Sequence, residues 1–543
     1  MNTDSDPAQT YDAIVVGGGH NGLTCAAYLA RAGRKVVVLE ARGIVGGFCT
    51  TEENIAEAPG FRMNVCAVDT ALTNSPVSVI DELGLHKYGL RFIHPDPWAG
   101  FVNPDGASIA FWRDRDRTKQ EIARFSRRDA DSFERFCATM TDAWWAALPY
   151  FQDHPTRPST KTMGQVLWRL ARSRRSLRLA VRIFMNSPEQ VIEEYFEREE
   201  VKAAFANLGA WSMLPLQEPG SAGVLAMMVA YFRWGVTRPI GGVGHFTEAL
   251  ATCVTDHGGV VSTNSEVEEI VVEDGAAKGV RLKNGRELHA RHVIGAIDPK
   301  TLMQKLVDQA HVPHQVQAEL RGLGVLRWNI SVVKADVAIS RTPALACGRP
   351  ELLQGYLLLS PTMDYVKRAQ VASMAGELPD EVPMAPMFPS IADPTQVPPG
   401  SDGATIYLYM PTVPLELSGG RDWSTVKDGY VKHAMAELDS YAPGVADAVI
   451  GTFVKSPKDL AMQSYRGNII HTDMSIHQMG PWRPVPSMSG YTTQINRLWH
   501  TAAGAHPMGA LNGWSGRTTA RMVHRLMRRE DGAVRRTLSA GSR

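Results

Sequence analysis

The sequence predicts an α/β fold, mixed α+β overall, in which one nucleotide-binding unit is built from several separated stretches of chain. Three observations predict it. A β-branched run, Tyr11–Val16, stops abruptly at a cluster of glycines, and strand and glycine-rich patterns return near residues 238–299 and 497–516. Between them lie long stretches with helical spacing of apolar residues.

Tyr11-Asp-Ala-Ile-Val-Val16 reads as a buried parallel strand. The turn Gly17-Gly-Gly-His20-Asn21-Gly22 follows, and Leu23–Ala32 has helical periodicity closed by Gly33. A second strand, Lys35–Leu39, ends in Glu40. Strand, Gly17-x-Gly19-x-x-Gly22, helix, strand and acid thus form one Rossmann-like βαβ unit. Gly17 permits the tight turn, Gly19 lets backbone approach a pyrophosphate, and Gly22 lets helix and strand pack closely. The helix start offers unpaired N–H groups to the anion, and the Glu40 carboxylate can accept from ribose hydroxyls.

The spacing does not distinguish a flavin from a nicotinamide dinucleotide. The continuation Glu40-Ala41-Arg42-Gly-Ile-Val-Gly46-Gly47 adds a cation and a second glycine pair, which suit a longer, folded-over dinucleotide. On these residues the chain resembles the flavin amine oxidase and phytoene desaturase superfamily, and the resemblance implies FAD. Arg238-Pro-Ile-Gly-Gly-Val-Gly244 is similar to the segment that leads back into the flavin domain, with Val267 then at the position whose backbone contacts adenine. A strand Val260–Val272, a hairpin turning at Gly275 and a strand ending at Asp298-Pro299 are expected after it. Arg497–Gly516 resembles the family's returning strand, turn and helix. It implies that Gly504, His506, Gly509, Ala510, Leu511 and Asn512 pack the isoalloxazine end.

Ser390–Thr395, Gly467–His471 and Trp482-Arg-Pro484 are similar to a phytoene desaturase-like branch that includes retinol saturase and proteins named for a pyridine nucleotide-disulphide oxidoreductase domain. Met508 and Trp514 depart from that branch's glycine pattern and place bulk over the expected ring. The implied organisation is flavin domain at 1–75, 236–305 and 491–543, with a substrate domain at 76–235 and 306–490. Pro379–Gly403 reads as a proline-rich loop or linker.

Composition narrows the function. Fifty-seven Lys and Arg against fifty-six Asp and Glu leave a formal charge of +1, so no global field recruits nucleic acid. Six cysteines have no Cys-x-x-Cys spacing, and no two lie a few residues apart, so neither a disulfide framework nor disulfide reduction is expected. Sixteen histidines without a His-x-x-x-His near acids give no metal site. The polar, acidic start Met1–Pro7 is unlike a signal peptide, and no run reaches the roughly 20 apolar residues that span a bilayer. The expected location is cytoplasmic, with peripheral membrane contact through residues 157–185, where eight Lys or Arg and no acid interleave with apolar residues.

The activity this implies is a FAD-dependent dehydrogenase or desaturase that moves hydride from a bulky, mostly apolar substrate to flavin N5. FAD is expected to be non-covalent, since the C-terminal block has no cysteine. His506 is the expected side chain beside the ring, with His471 and Asp298 as weaker candidates. No second Gly-x-Gly-x-x-Gly unit indicates NAD(P)H, so electrons leave to oxygen, a quinone or another acceptor. Alternatives are a flavin-dependent isomerase or saturase without net oxidation, an amine oxidase with a tyrosine cage, and a flavin-bound scaffold without turnover.

Overall fold

The computed structural model describes residues 10–69, 78–172 and 174–541. The start Met1–Pro7 and the expected boundary at 75/76 lie outside the described residues. Strand β1 (Tyr11–Val16) leads through the glycine turn into α1 (His20–Arg31) and back to β2 (Val36–Leu39). Two short strands, β3 (Thr51–Glu52) and β4 (Met63–Asn64), pair as an antiparallel ribbon directly after the second glycine pair. A helical region follows, with α2 (Arg127–Phe151), α3 (Thr160–Arg172) and α4 (Arg174–Met185). The chain then returns through α5 (Gly244–Asp256), β5 (Val260–Ser262), β6 (Val267–Glu273), β7 (Ala276–Leu282) and β8 (Glu287–Gly295). After them come β9 (Ile330–Ile339), β10 (Ala404–Pro414) and β11 (Val449–Lys455). The last elements are β12 (Leu498–His500) and the long helix α6 (Trp514–Gly541).

One seven-stranded sheet has the order β6-β7-β8-β1-β2-β5, with β12 beside β8. Its centre is parallel: β1 pairs with β2 and β8, β2 with β5, and β8 with β12. Because side chains alternate along a strand, β1 and β2 feed two cores. Ala13, Val15, Val36 and Val38 face Leu23, Ala26 and Ala27 of α1. Ile14, Val16, Val37 and Leu39 face Val293, Leu302, Val316 and Leu320 on the other side. Each fully buried valine or leucine contributes about 1.5–3 kcal/mol. The expected strand Val260–Val272 is two strands, because the chain turns between them at Asn264, which adopts φ 51°.

The second sheet is antiparallel, in the order β10-β9-β11, and every residue of β9 and β10 is buried. Pro379–Gly403, expected as a loop or linker, packs against it. Val382, Met384, Ala385, Met387 and Phe388 are buried, and Met387 bridges to Tyr407 of β10. The proline pattern concealed this, because apolar residues between prolines can close a core through single bridges without forming a long strand.

Candidate functional site

The glycine turn and its surroundings enclose a cavity of about 560 Å³ along the carboxyl ends of β1 and β2. Each glycine has a separate geometric reason. Gly17 has φ +103°, and a Cβ there would meet Ile297 at 2.9 Å; a Cβ on Gly22 would lie 2.2 Å from the Gly17 carbonyl oxygen. At Gly19 a Cβ would meet no described atom within 4 Å, so the space above it is open to a ligand. Gly46 crosses this turn, its N–H donating to Gly18 O at 2.8 Å, and Gly47 lies against Gly19. Helix α1 begins at Gly19 without a side-chain cap and with no acid in its first turn, so its N–H groups point unpaired into the cavity.

Glu40, from the end of β2, sets the geometry of one end. Its two carboxylate oxygens accept from Gly18 N (2.8 Å) and Arg42 N (2.9 Å). Ala41, Ser265, Glu266 and Val267 complete that end. Arg42 lines the cavity while its guanidinium donates to Glu52 at 2.8 Å and to Gly47 O at 3.3 Å. Burial raises the Glu52 carboxyl, but the Thr50 hydroxyl and Arg42 outweigh it, and the group lies below its ordinary range.

At the other end, His20, Asn21, His471 and the backbone of Gly509, Ala510 and Leu511 converge. His20 Nε2, Asn21 Oδ1 and His471 Nδ1 are buried without a hydrogen-bond partner among the described residues. Burial lowers His20 to about 4; the Ala510 backbone opposes this and His471 adds to it. His471 is likewise lowered to about 4 by burial, with Asp298 opposing. Both imidazoles are neutral near pH 7. A Cβ on Gly509 would lie 2.6 Å from Ile470 Cβ, which fixes the loop against its neighbour.

Gly504 and Asn512 stand behind this wall and do not line the cavity. Gly504 packs on Pro299 and His471, and Asn512 Oδ1 accepts from Trp514 N at 2.8 Å, fixing the start of α6. His506, expected beside the ring, is placed elsewhere. Its Nε2 meets Tyr150 O at 3.2 Å, its ring packs edge-on to Tyr150 at 5.2 Å, and it does not line the cavity. The glycine turn after β12 presents its backbone to the cavity and sends this side chain toward the end of α2. His471 is the C-terminal histidine that reaches the cavity. Asp298 is structural, accepting from Thr301 N (2.8 Å) and Tyr465 N (3.1 Å).

Residues that sequence reasoning passed over are Phe48, Cys49, Cys66, Ile469 and Ile470, all on this end of the cavity. Cys49 and Cys66 come together only through the β3–β4 pairing, a register that spacing does not reveal. Behind Cys66, the Tyr407 hydroxyl donates to its carbonyl, and the Tyr407 and Tyr409 rings stack with centroids 6.2 Å apart. Trp211 packs edge-on to Tyr409 at 6.1 Å and against Tyr356 at 4.6 Å. This stacked tyrosine pair of β10 stands behind Cys66 and does not itself line the cavity. Lys334 and Asp336 form a buried ion pair beside this cluster, with Lys334 Nζ donating to Asn64 O at 2.6 Å. Burial dominates both, lowering the ammonium and raising the carboxyl, each opposed by its partner.

The donor set suits a flavin dinucleotide: an acid for ribose, an open glycine surface and helix start for phosphates, and unpaired polar atoms at an otherwise apolar far end. Among the described residues no group of three or more His, Cys, Asp or Glu could hold a metal ion, and no helix is long and apolar enough to cross a membrane.

The comparisons agree with this geometry. The chain is 30% identical to pyridine nucleotide-disulfide oxidoreductase domain-containing protein 2 of Mus musculus, covering 95% of this chain and 93% of that protein. It is 27% identical to one of the limonene dehydrogenase subunits of Castellaniella defragrans, over 94% of each. The crystal structure of an oxidoreductase from Methanosarcina mazei superposes with a TM-score of 0.60 at 18% identity, covering 95% of this chain and 99% of that one. The family pattern for flavin containing amine oxidoreductases matches residues 22–369, and the chain belongs to that family.

Proposed function

We propose that the protein is a FAD-dependent dehydrogenase that takes hydride from a bulky, mostly apolar organic substrate, with FAD held non-covalently between Glu40 and Leu511. The observation that carries this reading is the one continuous cavity that joins Glu40 and Val267 to Gly19 and then to His20, His471 and Gly509–Leu511. Bound flavin supplies the two-electron acceptor. The chain supplies placement: Glu40 fixes the ribose end, the uncapped α1 start receives the phosphates, and neutral His20 and His471 offer hydrogen bonds at the ring end. Burial pushes the Cys66 thiol up to about 11 and raises Cys49 as well, which leaves both protonated near pH 7 and supports a non-covalent cofactor.

An apolar substrate is supported by the walls beyond the ring end, where Phe48, Ile469 and Ile470 adjoin the Tyr407, Tyr409, Trp211 and Tyr356 cluster. A relative named for limonene dehydrogenation is in keeping with this. Anaerobic mixing of the flavin-loaded protein with hydrocarbon, terpenoid, carotenoid and amine candidates tests the reading. Bleaching by an apolar compound supports it, and bleaching by amines alone overturns it.

The surface at α3 and α4 supports peripheral contact with an anionic membrane. Of the expected stretch 157–185, Ser173 and the side chains of 174–177 lie outside the described residues. Leu167 (60%) and Trp168 (57%) are exposed on α3, as are Val181 and Met185 on α4. Beside them a groove of about 860 Å³ separates α3 from α6 and is lined by Arg157, Lys161, Arg169, Arg521, Arg525 and Arg529. Exposed apolar side chains rimmed by cations suit the interface of a bilayer, where tails accept the former and phosphates the latter.

A further inference from the structure

Cys49 and Cys66 are far apart in sequence and directly opposed in the fold. Strands β3 and β4 pair Thr51 with Asn64, and the ladder continues beyond them through Val65 N to Thr50 O (3.0 Å) and Ala67 N to Phe48 O (3.1 Å). Between these two bonds Cys49 stands opposite Cys66 as a pair without cross-strand backbone hydrogen bonds, Cys49 N donating instead to Gly46 O at 2.9 Å. Antiparallel residues there have Cα atoms about 4.5 Å apart and side chains on one face. That separation lies inside the range of about 4.4–6.8 Å that a disulfide spans. Both residues line the cavity at the end where His20, His471 and Gly509 converge.

Each thiol has a polar or charged neighbour. Cys49 Sγ lies 3.7 Å from His20 Nδ1, and the other nitrogen of that ring is buried without a partner among the described residues. Burial raises the Cys49 thiol and Cys66 adds to it, so the sulfur stays protonated at rest beside the neutral His20 ring. On the Cys66 side, burial is opposed by the charges of Lys334 and Lys455. The remaining cysteines take no part: Cys25, Cys137 and Cys253 are buried away from the cavity, and Cys347 is half-buried and also outside it.

We infer that Cys49 and Cys66 are a reversible dithiol–disulfide couple that exchanges two electrons with the flavin in the same cavity. In the oxidising direction the two S–H bonds break and one S–S bond forms. The two electrons and two protons released would pass to an oxidised flavin bound in the cavity. In the reverse direction the disulfide would open to two thiols on taking two electrons and two protons from a reduced flavin. The couple is a second two-electron store beside the cofactor. The inference rests on the flavin reading above, and its tests count thiols as well as electrons.

The flavin-loaded full chain is reduced anaerobically, then reoxidised by turnover in air, denatured in alkylating reagent and digested without reductant. The expected result is that two of the six thiols escape alkylation, in a cross-linked peptide pair containing Cys49 and Cys66. Reductive titration then consumes two equivalents of two-electron reductant per flavin, against one in Cys49→Ser and one in Cys66→Ala. Equivalents are counted per bound flavin in every variant, and Cys25→Ser consumes two, as the wild type does. Six alkylated thiols after reoxidation, or full reduction of the wild type by one equivalent, overturns the inference. So does a disulfide that forms at the same rate in cofactor-free protein. A chain that binds no flavin fails the functional reading first, which the spectrum before titration reveals.

Discussion

Gly516 of α6 lies so close to Asn21 of α1 that a Cβ on it would sit 2.2 Å from the Asn21 carbonyl oxygen. This contact ties the last helix to the phosphate-facing helix start. Substituting Gly516→Val forces the helices apart, and overpacking of this kind costs about 1–3 kcal/mol. The expected outcome is a lowered Tm together with flavin loss on gel filtration, read by absorbance in the protein peak.

Glu40 organises its end of the cavity by accepting two backbone N–H bonds. Each bond to a charged group contributes about 1.5–3 kcal/mol. Glu40→Ala leaves both donors unpaired and removes the ribose acceptor, and flavin affinity should fall by about 30-fold or more. Titration of the cofactor-free protein with FAD checks this; an unchanged Kd contradicts the assignment.

Acid stability follows from four buried histidines. Burial lowers His20, His471, His500 and His506 each from 6.5 to about 4. Between these values the unfolded chain binds protons that the folded chain does not, so stability rises with pH across that interval. It is fully present above about pH 6.5 and is lost progressively as pH falls toward 4. Thermal melts from pH 4 to 8 should show Tm climbing to a plateau near neutrality, and His506→Gln should flatten part of the slope.

The basic groove predicts salt-sensitive membrane binding. Flotation with phosphatidylcholine vesicles should recover little protein, while added phosphatidylglycerol recovers most of it at low salt. Arg525→Glu with Arg529→Glu should weaken binding by more than about 30-fold, and Leu167→Ser with Trp168→Ser should weaken it further. Equal recovery on neutral and anionic vesicles contradicts the proposal.

The parts of the site legible in the sequence are those whose chemistry is local. Gly17, Gly19 and Gly22 are recognisable because a turn, an approach and a helix contact each demand a missing side chain within a few residues of one strand. Glu40 is legible because β2 ends where β1 does. The place of His506 is not legible, since a glycine-rich turn does not reveal which of its side chains faces inward, and its neighbour Tyr150 comes from α2. His471 is legible only as a weaker candidate, and its entry into the cavity, like the approach of Cys49 to Cys66, depends on loop packing and strand register, which long-range contacts decide. The same holds for the pairing of Tyr407 and Tyr409 on β10 with the far wall, and for α6 completing a groove with α3.

The most direct test of FAD binding is the absorption spectrum of the purified protein, followed by chromatography of whatever denaturation releases. Flavin bands are expected in the native protein, with free FAD in the supernatant after heat or acid. A colourless protein that does not regain these bands on incubation with FAD contradicts it.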